Sequence, residues 1–277
     1  MKKVTEVMLD HVSMQSKEFK KVPEIFYSLG FTGESNKKAM EPGDTAARYV
    51  FDNGYSETSL TKPDDHPFYD YLKGNSGMHC VAVRTPNAVE AAKKLEENGY
   101  KIAGVIDLCR ANGTHGPKTG DIKFGLIPII EDFVPNTHVS VLEHRTRDMM
   151  YQSDKWVHEN GVNRFMGIVI ACNDESKADS IIENFTKVQE LVGEKSDGFI
   201  PSVFVCDTGT IKEDFGVDVD PERSSVVGIV YGTPDLSKIK AILAKNPDMK
   251  YKEVEDRYIA VDVTDELNGV LIFRKFN

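Results

Sequence analysis

Leu9-Asp10-His11-Val12-Ser13-Met14-Gln15 reads as a strand. Lys17 to Leu29 after it carries Phe19, Val22, Ile25, Phe26 and Leu29 on one helical face, and Gly30-Phe31 ends the segment. The same order recurs at Gly77-Met78-His79-Cys80-Val81-Ala82-Val83, followed by a helix over Asn87–Asn98 with Val89, Ala92 and Leu95 inward and a stop at Gly99-Tyr100. A third copy opens at Phe165-Met166-Gly167-Ile168-Val169-Ile170 and continues into a helix from Ser176 to about Leu191. The fourth opens at Val226-Val227-Gly228-Ile229-Val230-Tyr231, with a helix near Asp235–Lys245. Self-similarity at this scale identifies repeated supersecondary units.

Strand-like, turn-punctuated sequence follows each helix. Ala47–Phe51 and Tyr55–Leu60 flank Asp52-Asn53-Gly54, where Asn-Gly predicts a tight hairpin with positive φ. Ile122–Ile130 and Thr137–His144 flank Glu131–Asn136, and Arg257–Val263 and Val270–Phe273 flank Asp265–Gly269. Only the third unit is ragged, with Ser202–Cys206 as its clearest later strand. Four β-α-β-β-β units predict an α+β class built as two paired, open-barrel domains, each with a concave interior. The expected division is residues 1–145 for the first pair, a linker over 146–163, and residues 164–277 for the second pair.

The whole-chain arithmetic agrees with two cores. The chain has 277 residues, near the roughly 250–300 at which one hydrophobic core usually divides. A net charge of −10 argues against a protein that holds nucleic acid or anionic lipid through a basic surface. No apolar run approaches the roughly 18 residues of a membrane span. Glu6 and Asp10 break the run that a signal peptide would need after Met1-Lys2-Lys3. Cys80, Cys109, Cys172 and Cys206 are far apart and form no CxxC pair, which predicts reduced, mostly buried thiols and a cytoplasmic protein. There is no P-loop, GxGxxG or nucleophile elbow.

Aligned on their second residue, the opening strands read Asp10-His11-Val12, Met78-His79-Cys80, Met166-Gly167-Ile168 and Val227-Gly228-Ile229. His therefore stands in both N-terminal units and Gly in both C-terminal ones. A pseudo-twofold axis would bring His11 and His79 together across the first concavity. Alternation places Leu9, His11, Ser13 and Gln15 on one face of the first strand. A metal needs a further ligand: Glu57 is one candidate, and the adjacent Glu143 and His144 point to opposite faces, so only one of them reaches the site. Solvated or locally bonded roles are expected for His66, His115 and His138.

These features resemble the vicinal oxygen chelate superfamily, which includes glyoxalase I, extradiol dioxygenases and fosfomycin-resistance proteins. More narrowly, the chain resembles two-domain glyoxalase-like proteins with a His-x-Thr-Pro-Glu…Trp…His-Pro-Asn-Gly segment. Here it reads His144-Arg145-Thr146-Arg147-Asp148…Trp156-Val157-His158-Glu159-Asn160-Gly161, with Arg147-Asp148 and Glu159 departing from the pattern. The resemblance implies a divalent metal (Zn, Fe, Mn or Ni) held by His11, Glu57, His79 and either Glu143 or His144. It also implies a small substrate whose neighbouring oxygens chelate that metal. Glu57 or Glu143 would act as general base in isomerase or lyase chemistry, and two histidines with a carboxylate on Fe(II) would suit a dioxygenase. The competing expectation is a metal-free protein that sequesters an aromatic or drug-like ligand, with Tyr55 and Phe51 beside the first cavity. The second domain would then be a degenerate copy or an interface, and both monomer and homodimer are compatible with four units in one chain.

Overall fold

The computed structural model describes residues 1–18, 20–33, 46–59, 75–110, 118, 120–195 and 198–276. His66 and His115 lie outside the described residues. The first unit comprises β2 (Leu9–Gln15), α1 (Lys21–Ser28), β3 (Ala46–Val50) and β4 (Tyr55–Ser59), preceded by β1 (Lys2–Glu6). The second comprises β5 (Gly77–Arg84), α2 (Ala88–Glu97), β6 (Ile106–Arg110), β7 (Ile122–Val134) and β8 (Thr137–His144). A short helix, α3 (Arg147–Met150), and a 3-10 turn at Ser153–Trp156 lead to the third unit, β9 (Arg164–Ala171), α4 (Glu175–Val192), β10 (Ser202–Cys206) and α5 (Thr208–Phe215). The fourth is β11 (Val226–Thr233), α6 (Ser237–Leu243), β12 (Tyr251–Val254), β13 (Tyr258–Asp262), α7 (Thr264–Leu267) and β14 (Val270–Lys275).

In every unit the opening strand pairs in parallel with the last strand: β2 with β4, β5 with β8, β9 with β10, and β11 with β14. The opening strands of neighbouring units pair antiparallel, β2 with β5 and β9 with β11. A single antiparallel ladder pair, Val226 with Met78, joins β11 to β5, so the strands form one open sheet of 14. The third unit is ragged because a helix, α5, stands where the others continue with strands. The free edge of β10 is covered instead by β1, which comes from the opposite end of the chain.

One face of the sheet carries the helices and the main core. The inward faces of α2 (Ala88, Ala91, Ala92, Leu95) and α4 (Ala178, Ile181, Phe185, Val188, Val192) meet alternate strand residues such as Val12, Val81, Val83 and Ile168. The caps match the composition: Asn87 accepts from Glu90 N at 3.0 Å and Asp174 from Lys177 N at 3.0 Å. The other, concave face differs between the halves. In units three and four it carries an apolar cluster including Val169, Val230, Ala260 and Ile272, and Val169, Val230 and Ile272 line a cavity of about 490 Å³ there. In units one and two the corresponding wall is polar. Among the described residues no helix is long and apolar enough to cross a membrane.

The hairpin at residues 52–54 departs from expectation, since neither Asn53 nor Gly54 has positive φ. The Asn53 side chain instead clamps β9, donating to Phe165 O at 2.7 Å and accepting from Phe165 N at 2.9 Å. Gly54 answers a need for space, because a Cβ there would lie 2.7 Å from Asp10 O and 2.9 Å from the Phe165 ring. β7 runs on to Val134, so the expected Glu131–Asn136 loop shrinks to a turn at Pro135-Asn136, with Asn136 at φ 55°. Phe51 belongs to the core, packed against Phe31, Tyr231 and His158. Cys80, Cys172 and Cys206 are buried, Cys109 is exposed, and all four are unbridged.

His158, in the segment joining the halves, is 5% exposed. Its Nδ1 accepts from Thr32 N at 2.9 Å, and its Nε2 lies 3.0 Å from Val50 O, so the ring is held neutral with a proton on Nε2. Burial disfavours the cation, and the Val50 hydrogen bond only partly offsets it, leaving the imidazole down at about 4. Because the folded value lies below the unfolded one, this stability is present above the unfolded value and is lost as pH falls toward 4. The expected loss between pH 7 and pH 5 is about 2 kcal/mol. Urea unfolding across that range measures it, and His158→Gln should remove this part of the slope. An unchanged slope in the variant would show that His158 is not its source.

Candidate functional site

The first concavity is floored by β2 and β5, whose pairing slips by one residue at Asp10 and again at His79. Each slip is a β-bulge, an extra residue with no partner opposite. β9 and β11 slip in the same way, at Met166 and Val227. Asp10, His79, Met166 and Val227 therefore occupy one structural position, and His11, Cys80, Gly167 and Gly228 occupy the next. The sequence alignment of His11 with His79 is displaced by one residue: the counterpart of His11 is Cys80. The parallel partners extend the correspondence. His11 lies beside Tyr55 and Cys80 beside His138; two residues on, Glu57 corresponds to Ser140. The bulge also corrects the simple alternation of β2, because Leu9 falls into the helix-side core while His11 and Ser13 face the cavity.

The cavity has a volume of about 160 Å³, well below the roughly 300–1,000 Å³ of sites that take drug-sized ligands. His11, Glu57, His79 and His144 all line it, so the fold brings four of the five sequence candidates together. Without its bulge, His79 would point away from Cys80; with it, both reach the wall. Glu143 is on the other face of β8. Its Oε2 accepts from Ala88 N at 3.1 Å at the start of α2 and lies 3.5 Å from Arg145 Nε, so it caps a helix and does not reach the cavity.

Sequence reasoning passed over Arg48, Arg110, Cys80, Ser140 and His138, which complete the wall. His138 shares even parity with Ser140, Leu142 and His144 on β8, and that parity is the signal that identifies it. Arg48 is a lone charge in the apolar strand Ala46–Val50, the sequence sign of a buried pair.

Glu57 is held by Arg48, at 2.6 Å, and accepts more weakly from Ser13 Oγ at 3.5 Å. Burial pushes the Glu57 carboxyl up. The Arg48 charge above all, then those of His11, Arg110 and His79, overcome this and keep it below the ordinary carboxylate range. His11 stacks on Tyr55 with ring centroids 4.4 Å apart and places Nδ1 2.9 Å from Asp10 Oδ1. Burial works against its cation, but the bonds to Asp10 and Cys80 prevail and push it up to about 10. His138 goes the other way, down to about 4, through burial and the neighbouring His11 charge.

Asp10 is the hub behind this wall. Its fully buried carboxylate meets His11, His144 Nε2 at 3.1 Å, Arg84 Nε at 3.0 Å and the Tyr151 hydroxyl at 3.0 Å. Burial alone would favour the neutral acid; the His144 and Arg84 charges and the two histidine bonds hold it well below the ordinary range. On the cavity wall, Ser140 Oγ and His144 Nδ1 have no hydrogen-bond partner among the described residues.

Whether these residues suit the expected metal follows from the donor set. The twofold-related positions that would share an ion are His11, Glu57, Cys80 and Ser140. A serine hydroxyl is a poor ligand, and the Glu57 carboxylate is already paired with a guanidinium. Among the described residues, no three His, Cys, Asp or Glu side chains converge as an ion-binding group. The side chains in this arrangement do not fit the metal.

Four repeat units, each with its opening strand closed in parallel by its last strand, define a vicinal oxygen chelate fold with a polar concavity in its N-terminal half. The chain belongs to the family described as "Glyoxalase-like domain", whose profile matches residues 9–186. It is similar in structure to a hypothetical protein from Staphylococcus aureus, with TM-score 0.51 and 11% identity, covering 97% of this chain and 99% of the other. It is also similar to a "xylose isomerase-like TIM barrel/4-hydroxyphenylpyruvate dioxygenase fusion protein", with TM-score 0.58 and 11% identity, covering 99% of this chain and 50% of that one. A third likeness is to a catechol 2,3-dioxygenase, with TM-score 0.51 and 8% identity over 99% and 90% of the two chains. At such identities these structures show the fold alone. No curated protein matches the sequence.

Proposed function

We propose that the cavity of units one and two binds a small anion with two neighbouring oxygens. In this reading, fixed cations stabilise the enolate or oxyanion charge that a divalent ion stabilises in metal-dependent relatives. The observation that carries the reading is the charge of the wall. Among the described residues lining the cavity, Arg48, Arg110 and His11 stand with one carboxylate, Glu57, which Arg48 engages, while His11 is paired with Asp10 behind the wall. Planar guanidinium groups suit paired oxygens, and the small volume favours a compact substrate over an aromatic drug. His11, kept protonated, is placed to act as hydrogen-bond donor and general acid, which suits isomerase- or lyase-type chemistry beside a carbonyl.

The metal-dependent reading, with Zn, Fe, Mn or Ni, draws its support from the Asp10–His11 pair, since a carboxylate behind an imidazole also orients metal ligands. Thermal unfolding separates the two. With oxalate as the probe, at about 100 times its dissociation constant and with EDTA present, stabilisation of about 2.7 kcal/mol is expected. That corresponds to a rise of several degrees in Tm. A rise that occurs only when Mn(II), Zn(II), Ni(II) or Fe(II) accompanies oxalate would replace the anion reading with the metal one.

A further inference from the structure

Cys80 differs from the other three cysteines in facing the cavity. Cys80 pairs with Ser13 and His11 with Ala82 across β2 and β5, so the thiol and the imidazole are diagonal neighbours on one face of the antiparallel pair. Behind the imidazole, at 2.9 Å, stands Asp10, itself held by Arg84 and Tyr151. Carboxylate, imidazole and thiol thus follow in the order that activated nucleophiles use, with a base oriented by a third group. The facing wall adds an independent sign of a ligand. Ser140 Oγ is fully buried on the cavity wall without a hydrogen-bond partner among the described residues, and His144 Nδ1 is in the same condition. Such atoms are costly unless a ligand oxygen or hydroxyl meets them.

We propose that Cys80 is a nucleophile, positioned with His11 and Asp10, that adds reversibly to the carbonyl carbon of a small α-oxo acid or α-dicarbonyl bound in the cavity. The inference rests on the anion reading above and names its substrate class. In the step, the Sγ–C bond forms as the carbonyl π pair moves to oxygen. Before attack the thiol proton already rests on His11, as a thiolate–imidazolium pair, and that imidazolium delivers it to the carbonyl oxygen. The product is a neutral hemithioacetal or hemithioketal carbon, no electrons are exchanged, and no co-reactant is needed. The second oxygen of the substrate is left facing the cations of the wall.

Two measurements on the full-length protein in EDTA test this. With glyoxylate labelled by carbon-13 at the aldehyde carbon, a new tetrahedral-carbon resonance is expected in the wild type and is expected to be lost in both Cys80→Ser and Cys80→Ala. With iodoacetate and iodoacetamide, peptide mass spectrometry should show Cys80 alkylated at least ten-fold faster by the anionic reagent, whereas exposed Cys109 shows no such preference. His11→Gln should slow Cys80 by ten-fold or more and leave Cys109 unchanged. No resonance at saturating glyoxylate, or equal Cys80 rates in wild type and His11→Gln, would overturn the proposal. If oxalate still binds while Cys80 is inert, the nucleophile fails and the anion site stands. If Cys80 reacts in a His11-dependent way with iodoacetamide alone and oxalate does not bind, the anion reading fails and the thiol–imidazole pair stands.

Discussion

Asp10→Ala is expected to lower the unfolding free energy by about 3–5 kcal/mol, the cost of breaking a buried ion pair by removing one partner. The carboxylate is fully buried and satisfies Arg84, His11, His144 and Tyr151 at once. Without it the Arg84 guanidinium, 4% exposed, would keep, among the described residues, the neutral Asn53 O at 2.8 Å and Tyr151 hydroxyl at 2.9 Å and a long ion pair with the half-exposed Glu194 at 3.8 Å. Asp10→Asn keeps the shape but removes the charge and turns an acceptor oxygen into a donor facing other donors, so it is expected to be nearly as damaging. Urea midpoints with an unchanged m-value measure both. A loss below about 1 kcal/mol for Asp10→Ala, the scale of a surface ion pair, would show that the hub is not the structural centre of this wall.

Gly167→Ala is expected to be comparably severe. Gly167 has φ +147°, and a Cβ there would sit 2.0 Å from the Ser202 carbonyl oxygen, in the backbone of the strand it pairs with. Neither atom belongs to a flexible side chain, so β9 and β10 would have to separate. Backbone strain of about 1–3 kcal/mol and overpacking of similar size add to an expected loss of about 3–5 kcal/mol. β1, which among the described residues pairs only with β10, should lose hydrogen-exchange protection with it. The equivalent Gly228 has no positive φ, and its Cβ would meet the Val169 side chain at 2.9 Å, so Gly228→Ala should cost less. A Gly167→Ala protein within about 1 kcal/mol of wild type, or a reversed order of the two variants, would contradict this view of the bulge.

The glycines show what the sequence made legible and what it hid. Their recurrence in units three and four marks those units as copies without the histidine, and the concave face there is indeed an apolar cluster. The physical reason for glycine is strand approach, visible only once Ser202 and Val169 are placed. The repeat, the four opening strands and the helix that follows each of them are legible from periodicity because each helix buries one regular face. β1, β6, β12 and α5 escaped, since β1, β6 and β12 are short strands with mixed or exposed faces, and α5 breaks the repeat.

The candidate site was partly legible for the same reason. His11, Glu57, His79 and His144 do converge, because strand order carries them to one concavity. Alternation counts residues, however, and a bulge inserts one without a signature of its own. His79 therefore matched His11 in the sequence while Cys80 matches it in space. Asp10 was invisible as a hub because its partners come from β5, β8 and Tyr151, far away in the chain. The Arg48 guanidinium on Glu57 is likewise visible only in space.

The central claim is that the cavity binds an anion through fixed protein cations. Its most direct test is calorimetric titration of oxalate into EDTA-treated wild type and Arg110→Ala, a half-buried residue at the cavity wall. One site per chain is expected in the wild type without added metal, weakened about ten-fold or more by Arg110→Ala. Binding that is absent in EDTA and restored by Mn(II) or Zn(II), with Arg110→Ala indistinguishable from wild type, would contradict it.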